Sequence, residues 1–148
     1  MAVPRVWEIR IPSPGYWLTS NNQLRDKIAQ GRRIKPWRNA AYLATRAVRP
    51  RIPTGLDRVR VDVDYRWIGR KPVRELRNLE PTLKACVDGA IGCARGGALG
   101  YGIVADDNDQ RLVYGPLTGC PLLVPTALAR FNPRGGEVVL TVTEVHGC

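Results

Sequence analysis

The chain has 148 residues, an ordinary apolar fraction of 44% and a formal net charge of +10. This length predicts one domain, residues 1–148, of the α/β or α+β class. Its apolar runs are only a few residues long and its first residues lack the pattern of a signal peptide, so we expect a cytoplasmic protein with no membrane partner.

Residues 7–11 predict the first strand, because apolar and charged side chains alternate there and prolines follow. A helical pattern then runs from residue 23 to residue 48, and one of the asparagines at 21–22 is placed to cap it. Within this pattern, Gly31 and Pro36 predict a break or a kink.

Most of the net charge lies in this helical region. Nine lysines and arginines between Arg25 and Arg51 face a single acid, Asp26, so the segment contributes +8. A solvated helix face usually interleaves both signs, so this stripe favours a polyanion partner, most simply nucleic acid. Trp37 follows the apolar stripe of the helix, which favours core packing over stacking on a base.

Residues 58–67 form the clearest predicted strand, with a polar face throughout. This pattern is typical of an antiparallel sheet with one solvated face. Asp62 and Asp64 have the chemistry of metal ligands, but pairing with arginines across neighbouring strands is the simpler expectation. The apolar row consists of Val59, Val61, Val63, Tyr65 and Trp67.

A second helix is predicted from Asn78, whose side chain can cap it, with Pro81 in the first turn. Gly89 and Gly92 are expected to close it. Six apolar residues recur at helical spacing and predict a buried face: Leu79, Leu83, Cys86, Val87, Ala90 and Ile91.

The other face of this helix carries Glu80, Lys84 and Asp88 at spacings of four. Glu75 precedes the helix, and two aspartates at 106–107 follow it. If these stretches meet in the fold, they form a cluster of carboxylates that contains one ammonium group, that of Lys84. Mg²⁺ supplies the counter-charge that such a cluster needs, which indicates a Mg²⁺-dependent nuclease. An exposed ion-pair ladder and a polar turn explain the same residues.

The rest of the chain predicts shorter elements. The Gly-rich stretch 93–102 lacks the ending of a phosphate-binding loop and is expected to be a flexible loop. Residues 111–114 predict a short strand, 117–133 an irregular region with a weak strand at 122–124, and 137–145 a final strand. We therefore expect a mixed sheet of about four to five strands and two main helices.

Several segments resemble one known family in the same order along the chain. Residues 78–89 contain Lys-Ala-Cys-Val-Asp-Gly, and residues 102–107 read Gly-Ile-Val-Ala-Asp-Asp. Both are similar to motifs of the RusA-type Holliday junction resolvases, particularly the phage-borne branch. Residues 9–14, 35–41 and 140–145 look like that family's opening strand, first helix and closing strand.

The resemblance implies a homodimer that binds four-way DNA junctions and makes paired nicks with Mg²⁺, for which Mn²⁺ can substitute, without a small-molecule cofactor. By position, Lys84 matches the essential lysine of the family and Asp88 its helix aspartate. Asp107 matches a catalytic metal-ligand aspartate, and Asp106 lies beside it.

The chain departs from the family in the segment that normally reads Asp-x-Asp-Asn-Leu. Here Glu75 keeps a carboxylate, one methylene longer, whereas Arg77 cannot bind a metal. Either Glu75, Asp88, Asp106 and Asp107 suffice as ligands, or the protein binds junctions and cleaves them poorly. The third reading is structural: a basic domain that packs against other proteins, with no preference for branched over duplex DNA. The residues expected to contact the DNA backbone are Arg32, Arg33, Lys35, Arg38, Arg74 and Arg77.

Overall fold

A computed structural model describes residues 3–20, 25–68, 76–105, 111–122 and 135–146. These residues form a mixed four-stranded sheet, two helices and a β-hairpin, which confirms the expected small α+β fold. In chain order the elements are β1 (Val6–Pro12), α1 (Lys27–Ala47), β2 (Val59–Ile68), a 3₁₀ turn (Leu76–Leu79), α2 (Glu80–Ala90), β3 (Cys93–Arg95), β4 (Ala98–Tyr101), β5 (Leu112–Leu122) and β6 (Gly136–Glu144).

The sheet has the strand order β1-β6-β2-β5. β6 pairs antiparallel with both β1 and β2, whereas β5 pairs parallel with β2. The antiparallel expectation is therefore wrong for β5. A parallel pair needs a crossover, and α2 with the β3–β4 hairpin supplies it between β2 and β5.

The apolar row of β2 is fully or almost fully buried, as its alternation predicted. On the opposite face, Asp62 pairs with Arg60 at 3.2 Å and Asp64 with Arg66 at 2.8 Å. These ion pairs run along one strand rather than across strands, because residues two apart share a face. Arg66 also reaches across the sheet to Glu137 at 3.3 Å, a cross-strand pair that does not involve either aspartate.

α1 begins later than predicted and has a different cap. Asp26 is the N-cap, and its side chain accepts hydrogen bonds from the N–H groups of Ile28 and Ala29 at 2.9 and 3.4 Å. A carboxylate here also suits the positive end of the helix dipole. The expected caps at 21–22 lie outside the described residues, and the helix start at residue 23 is corrected to Lys27.

The predicted break in α1 is absent from the described helix, which continues through Gly31 and Pro36. A proline in a helix removes one backbone hydrogen bond, but packing can compensate. Trp37, directly after it, and Ala41, one turn further along the helix, are fully buried, and Trp37 donates its indole N–H to the Tyr16 carbonyl at 3.1 Å. The core placement of Trp37 is thus confirmed.

α2 buries the six apolar residues that its spacing predicted, and Gly92 directly follows its C-cap, as expected, but the predicted N-cap and the predicted closure at Gly89 are wrong. Its N-cap is Leu79, which makes no side-chain capping bond, because a 3₁₀ turn that contains Asn78 leads directly into it. Gly89 lies inside the helix, where a Cβ would approach the Arg38 carbonyl oxygen to 2.2 Å. This glycine therefore permits α1 and α2 to cross closely.

The Gly-rich stretch 93–102 forms the β3–β4 hairpin rather than a flexible loop. Gly96 and Gly97 have φ of +54° and +81°, which two-residue hairpin turns require. β5 also extends through part of the region predicted to be irregular. A register shift between Val61 and Val63 accommodates Gly115 and Pro116 of β5 beside β2.

The core lies between the sheet and the two helices. Ile9, Val61 and Leu140 contribute from the strands, and Trp37 and Cys86 from the helices, all with fully buried side chains. Over the described ranges, neither helix is both long enough and apolar enough to cross a bilayer.

Candidate functional site

A cleft of about 790 Å³ opens between α2 and β5. α2 contributes Glu80, Lys84 and Asp88 to one wall, and Leu112 and Tyr114 of β5 line the other. The cleft therefore contains the charged face of α2 that the sequence analysis singled out.

Lys84 lies in the middle of this charged face. Its side chain is exposed, and in the described part of the chain it has no ion-pair partner. Glu80 and Asp88 lie one turn to either side, so their Cα atoms are separated by about 12 Å along the helix axis. That separation is too large for both carboxylates to hold one ion directly.

Asp88 is half-buried on the last turn of α2. The described range before Asp106 ends at Ala105, near the C-terminal end of the same helix. Val104 donates its N–H to the Ile91 carbonyl at 3.3 Å, and the Ala105 carbonyl accepts from the Cys93 thiol at 3.1 Å. The residues that precede Asp106 are thus held at the C-terminal end of α2.

Four predicted site residues lie outside the described residues: Glu75, Arg74, Asp106 and Asp107. Two described residues that follow these positions along the chain line the cleft. Leu76, next to Glu75, lines the cleft, and so does Leu112, five residues after Asp107, whereas Ala105 and Arg111, which flank the segment 106–110, do not line it. Within the described ranges, no three His, Cys, Asp or Glu side chains lie together as a metal-binding group.

Arg77 lies on the 3₁₀ turn, is exposed and lines the cleft. It brings a second cation to the wall that carries Lys84. The position where the resolvase pattern expects an acid therefore gives the cleft additional positive charge.

The predicted DNA-binding residues of α1 fall into two groups. Arg32 and Lys35 are exposed. Arg33 and Arg38 are half-buried and have structural contacts: Arg33 lies 6.0 Å from the centre of the Tyr16 ring, and Arg38 donates to the Leu99 carbonyl at 2.6 Å. Half of this set thus also holds the fold together.

A second groove, of about 540 Å³, separates α1 from the β3–β4 hairpin. Lys35 and Arg38 line one side, and Gly96 and Gly97 lie on the other. The groove shares no lining residue with the cleft, so the basic helix presents its cations on a different surface from Lys84.

The position of Tyr65 in the cleft could not be predicted from strand alternation, which places this residue only in the apolar row of β2. Tyr65 lines the cleft, and its buried hydroxyl has no hydrogen-bond partner within the described ranges. Burial raises the pKa of Tyr65, and the nearby Cys86, Tyr114 and Glu80 raise it further. A tyrosine among valines was the only available signal, and strand alternation gives it no special role.

Comparison with protein-family models found no family that matches this chain, and a search of curated proteins found no match either. The function is therefore argued from the cleft and from the charge distribution.

Proposed function

We propose that this protein is a Mg²⁺-dependent endodeoxyribonuclease that nicks branched DNA, such as four-way junctions, during recombination, repair or phage DNA processing. One observation carries the proposal: one cleft is lined by Lys84 and Asp88 together with Leu76 and Leu112, which lie one residue after Glu75 and five residues after Asp107 along the chain. In this proposal the protein acts in the cytoplasm.

The donor chemistry fits Mg²⁺, which prefers carboxylate oxygens together with water and phosphate oxygens. Asp88 lines the cleft from the C-terminal turn of α2, and Glu80 lies too far from it along the helix to bind the same Mg²⁺ ion. Glu75, Asp106 and Asp107 are therefore the proposed partners of Asp88. When bound, Mg²⁺ supplies an activated water and stabilises the leaving oxygen of a phosphodiester.

Lys84 is the proposed catalytic cation of this chain. Its exposed ammonium is available to a phosphate oxygen, because no described acid pairs with it. A cation in this position stabilises the negative charge that increases on the phosphate in the transition state. Arg77 adds attraction for the DNA backbone at the same wall.

The basic surface supports DNA as the partner. Arg32 and Lys35 are exposed on α1, and Lys35 and Arg38 flank the second groove, so these side chains are placed to contact phosphates, as is proposed for Arg74. We propose that the protein acts as a homodimer, because a two-fold junction is cut symmetrically by a two-fold enzyme with one site per subunit.

The test uses purified protein and labelled four-way junctions with Mg²⁺, Mn²⁺ or Ca²⁺. We expect paired nicks with the first two ions. Lys84→Met should lower the single-turnover rate by about 100-fold or more, with junction binding in Ca²⁺ changed only a few-fold. The matched control is Lys27→Met, because Lys27 is an exposed lysine of α1 outside the cleft. Intact binding without cleavage in either Mg²⁺ or Mn²⁺ would contradict the proposal.

Arg77 favours a second candidate, a junction-binding protein that cleaves weakly. Its guanidinium lines the cleft where an acidic ligand would complete the resolvase pattern. This candidate predicts tight binding that is indifferent to Asp107→Asn. It also predicts that Arg77→Asp creates or raises cleavage, whereas under the first proposal Asp107→Asn abolishes an activity that the wild type already has.

A further inference from the structure

Tyr65 is a fully buried tyrosine near the C-terminal end of β2, with the ring of Trp17 edge-on to it at 6.5 Å. Its hydroxyl is closed to bulk water and has no hydrogen-bond partner among the described residues. Two other tyrosines have hydrogen-bonded hydroxyls: Tyr16 donates to the Arg33 carbonyl at 2.6 Å, and Tyr101 donates to the Ile52 carbonyl.

The hydroxyl of Tyr65 lies within electrostatic reach of the cleft. Tyr65 is a lining residue, and both Glu80 and Tyr114, which also line the cleft, act on its pKa. Burial is the largest cause that raises this pKa, so the phenol keeps its proton at neutral pH. It is therefore a neutral hydrogen-bond donor beside a cleft that also holds Lys84.

A buried polar group without a partner lowers the stability of the folded state, and native proteins contain few of them. Phenylalanine would preserve the packing of this ring against Trp17 without that cost. The hydroxyl thus has no stabilising contact in the described structure, which indicates a partner that enters with a ligand.

We propose that a DNA phosphate entering the cleft displaces the atoms that cover the Tyr65 hydroxyl and accepts a hydrogen bond from it through a non-bridging oxygen, an inference that rests on the nuclease function proposed above. A phosphate oxygen suits this donor, because anionic acceptors form the stronger hydrogen bonds and Lys84 supplies the complementary charge. The hydrogen bond from Tyr65 then orients the phosphate group, whereas Lys84 supplies the positive charge that attracts it.

The test is Tyr65→Phe, measured for thermal unfolding, for junction binding in Ca²⁺ and for single-turnover cleavage in Mg²⁺. We expect an unfolding midpoint equal to or above that of the wild type and cleavage slower by about 10-fold or more, the loss of one hydrogen bond to a charged acceptor. Because the donor is neutral, the salt dependence of binding should not change, whereas Lys84→Met should reduce it.

Tyr101→Phe is the matched control, because the Tyr101 hydroxyl bonds to Ile52 and lies outside the cleft. It should lower the unfolding midpoint and leave cleavage unchanged. A Tyr65→Phe protein that cleaves at the wild-type rate overturns the inference, whether or not its midpoint falls. A wild-type protein that binds no DNA overturns the proposed function and this inference together. A Tyr65→Phe protein with unchanged cleavage overturns the inference alone, so the two failures are distinguishable.

Discussion

The hydroxyl of Thr82 makes two hydrogen bonds to the backbone of Leu18, donating to its carbonyl at 2.7 Å and accepting from its N–H at 2.9 Å. Both residues are fully buried. Thr82 and Lys84 are two positions apart on α2, so their side chains point about 200° apart around the helix. The buried threonine therefore fixes the rotation of α2 that turns Lys84 towards the cleft.

Replacement of this threonine should destabilise the protein measurably. Thr82→Val keeps the volume but leaves the buried N–H and carbonyl of Leu18 without that partner, so we expect a loss of about 1–3 kcal/mol in the free energy of unfolding. Denaturant titration measures it. Thr45→Val is the control, because Thr45 bonds to the Ala41 carbonyl one turn back on the same helix rather than to a distant segment. An equal loss for both variants would contradict the prediction.

The crossing of α1 and α2 predicts a second effect on stability. In Gly89→Ala the new methyl would meet the Arg38 carbonyl oxygen at 2.2 Å and force the helices apart, which should cost about 1–3 kcal/mol. Gly31→Ala on α1 is the matched control, since no atom lies within 4 Å of its Cβ position in the described structure. That change should leave stability equal or raise it by up to about 1 kcal/mol.

Acid should weaken a contact at the edge of the sheet. Arg5 donates to Glu144 at 2.6 and 3.0 Å, and this hydrogen bond lowers the pKa of Glu144 below its ordinary value of 4.5. A lowered pKa in the folded state gives stability that is present above the unfolded value and is lost as the pH falls through the folded one. The stability difference between wild type and Glu144→Gln should therefore shrink below about pH 4.5.

Unfolding titrations at several pH values measure this difference. The variant Arg5→Gln removes the same hydrogen bond from the other side and should show the same loss of pH dependence. A difference between wild type and Glu144→Gln that stays constant as the pH falls well below the ordinary carboxyl pKa of 4.5 would contradict the assignment.

The basic surface of α1 predicts a salt effect. Arg32→Gln combined with Lys35→Gln removes two exposed cations, so the slope of log K against log salt for DNA binding should fall by about 0.9 for each DNA phosphate that the variant no longer neutralises. Arg10→Gln is the control, because Arg10 already pairs with Glu8 at 2.7 Å on β1. A larger change in this slope for Arg10→Gln than for the α1 double variant would place the DNA on another surface.

Patterns with a short period predicted most of the fold correctly. The alternation of β2 and the apolar face of α2 depend on local geometry, so the burial of Val61 and Cys86 could be predicted from spacing alone. Local signals failed where distant packing decided the outcome. Pro36 does not break α1 because its neighbours are buried, and Gly89 does not end α2 because Arg38 lies against it.

For the candidate site, the sequence alone determined that Lys84 and Asp88 share a helix face, since spacings of four place side chains on one side. Only the tertiary structure decided that this face borders a cleft with Tyr114 opposite, because β5 reaches that place through a long-range parallel pairing with β2. Among the described residues the hydroxyl of Tyr65 has no hydrogen-bond partner, which is likewise a property of packing, since a hydrogen bond depends on which atoms the fold brings within reach.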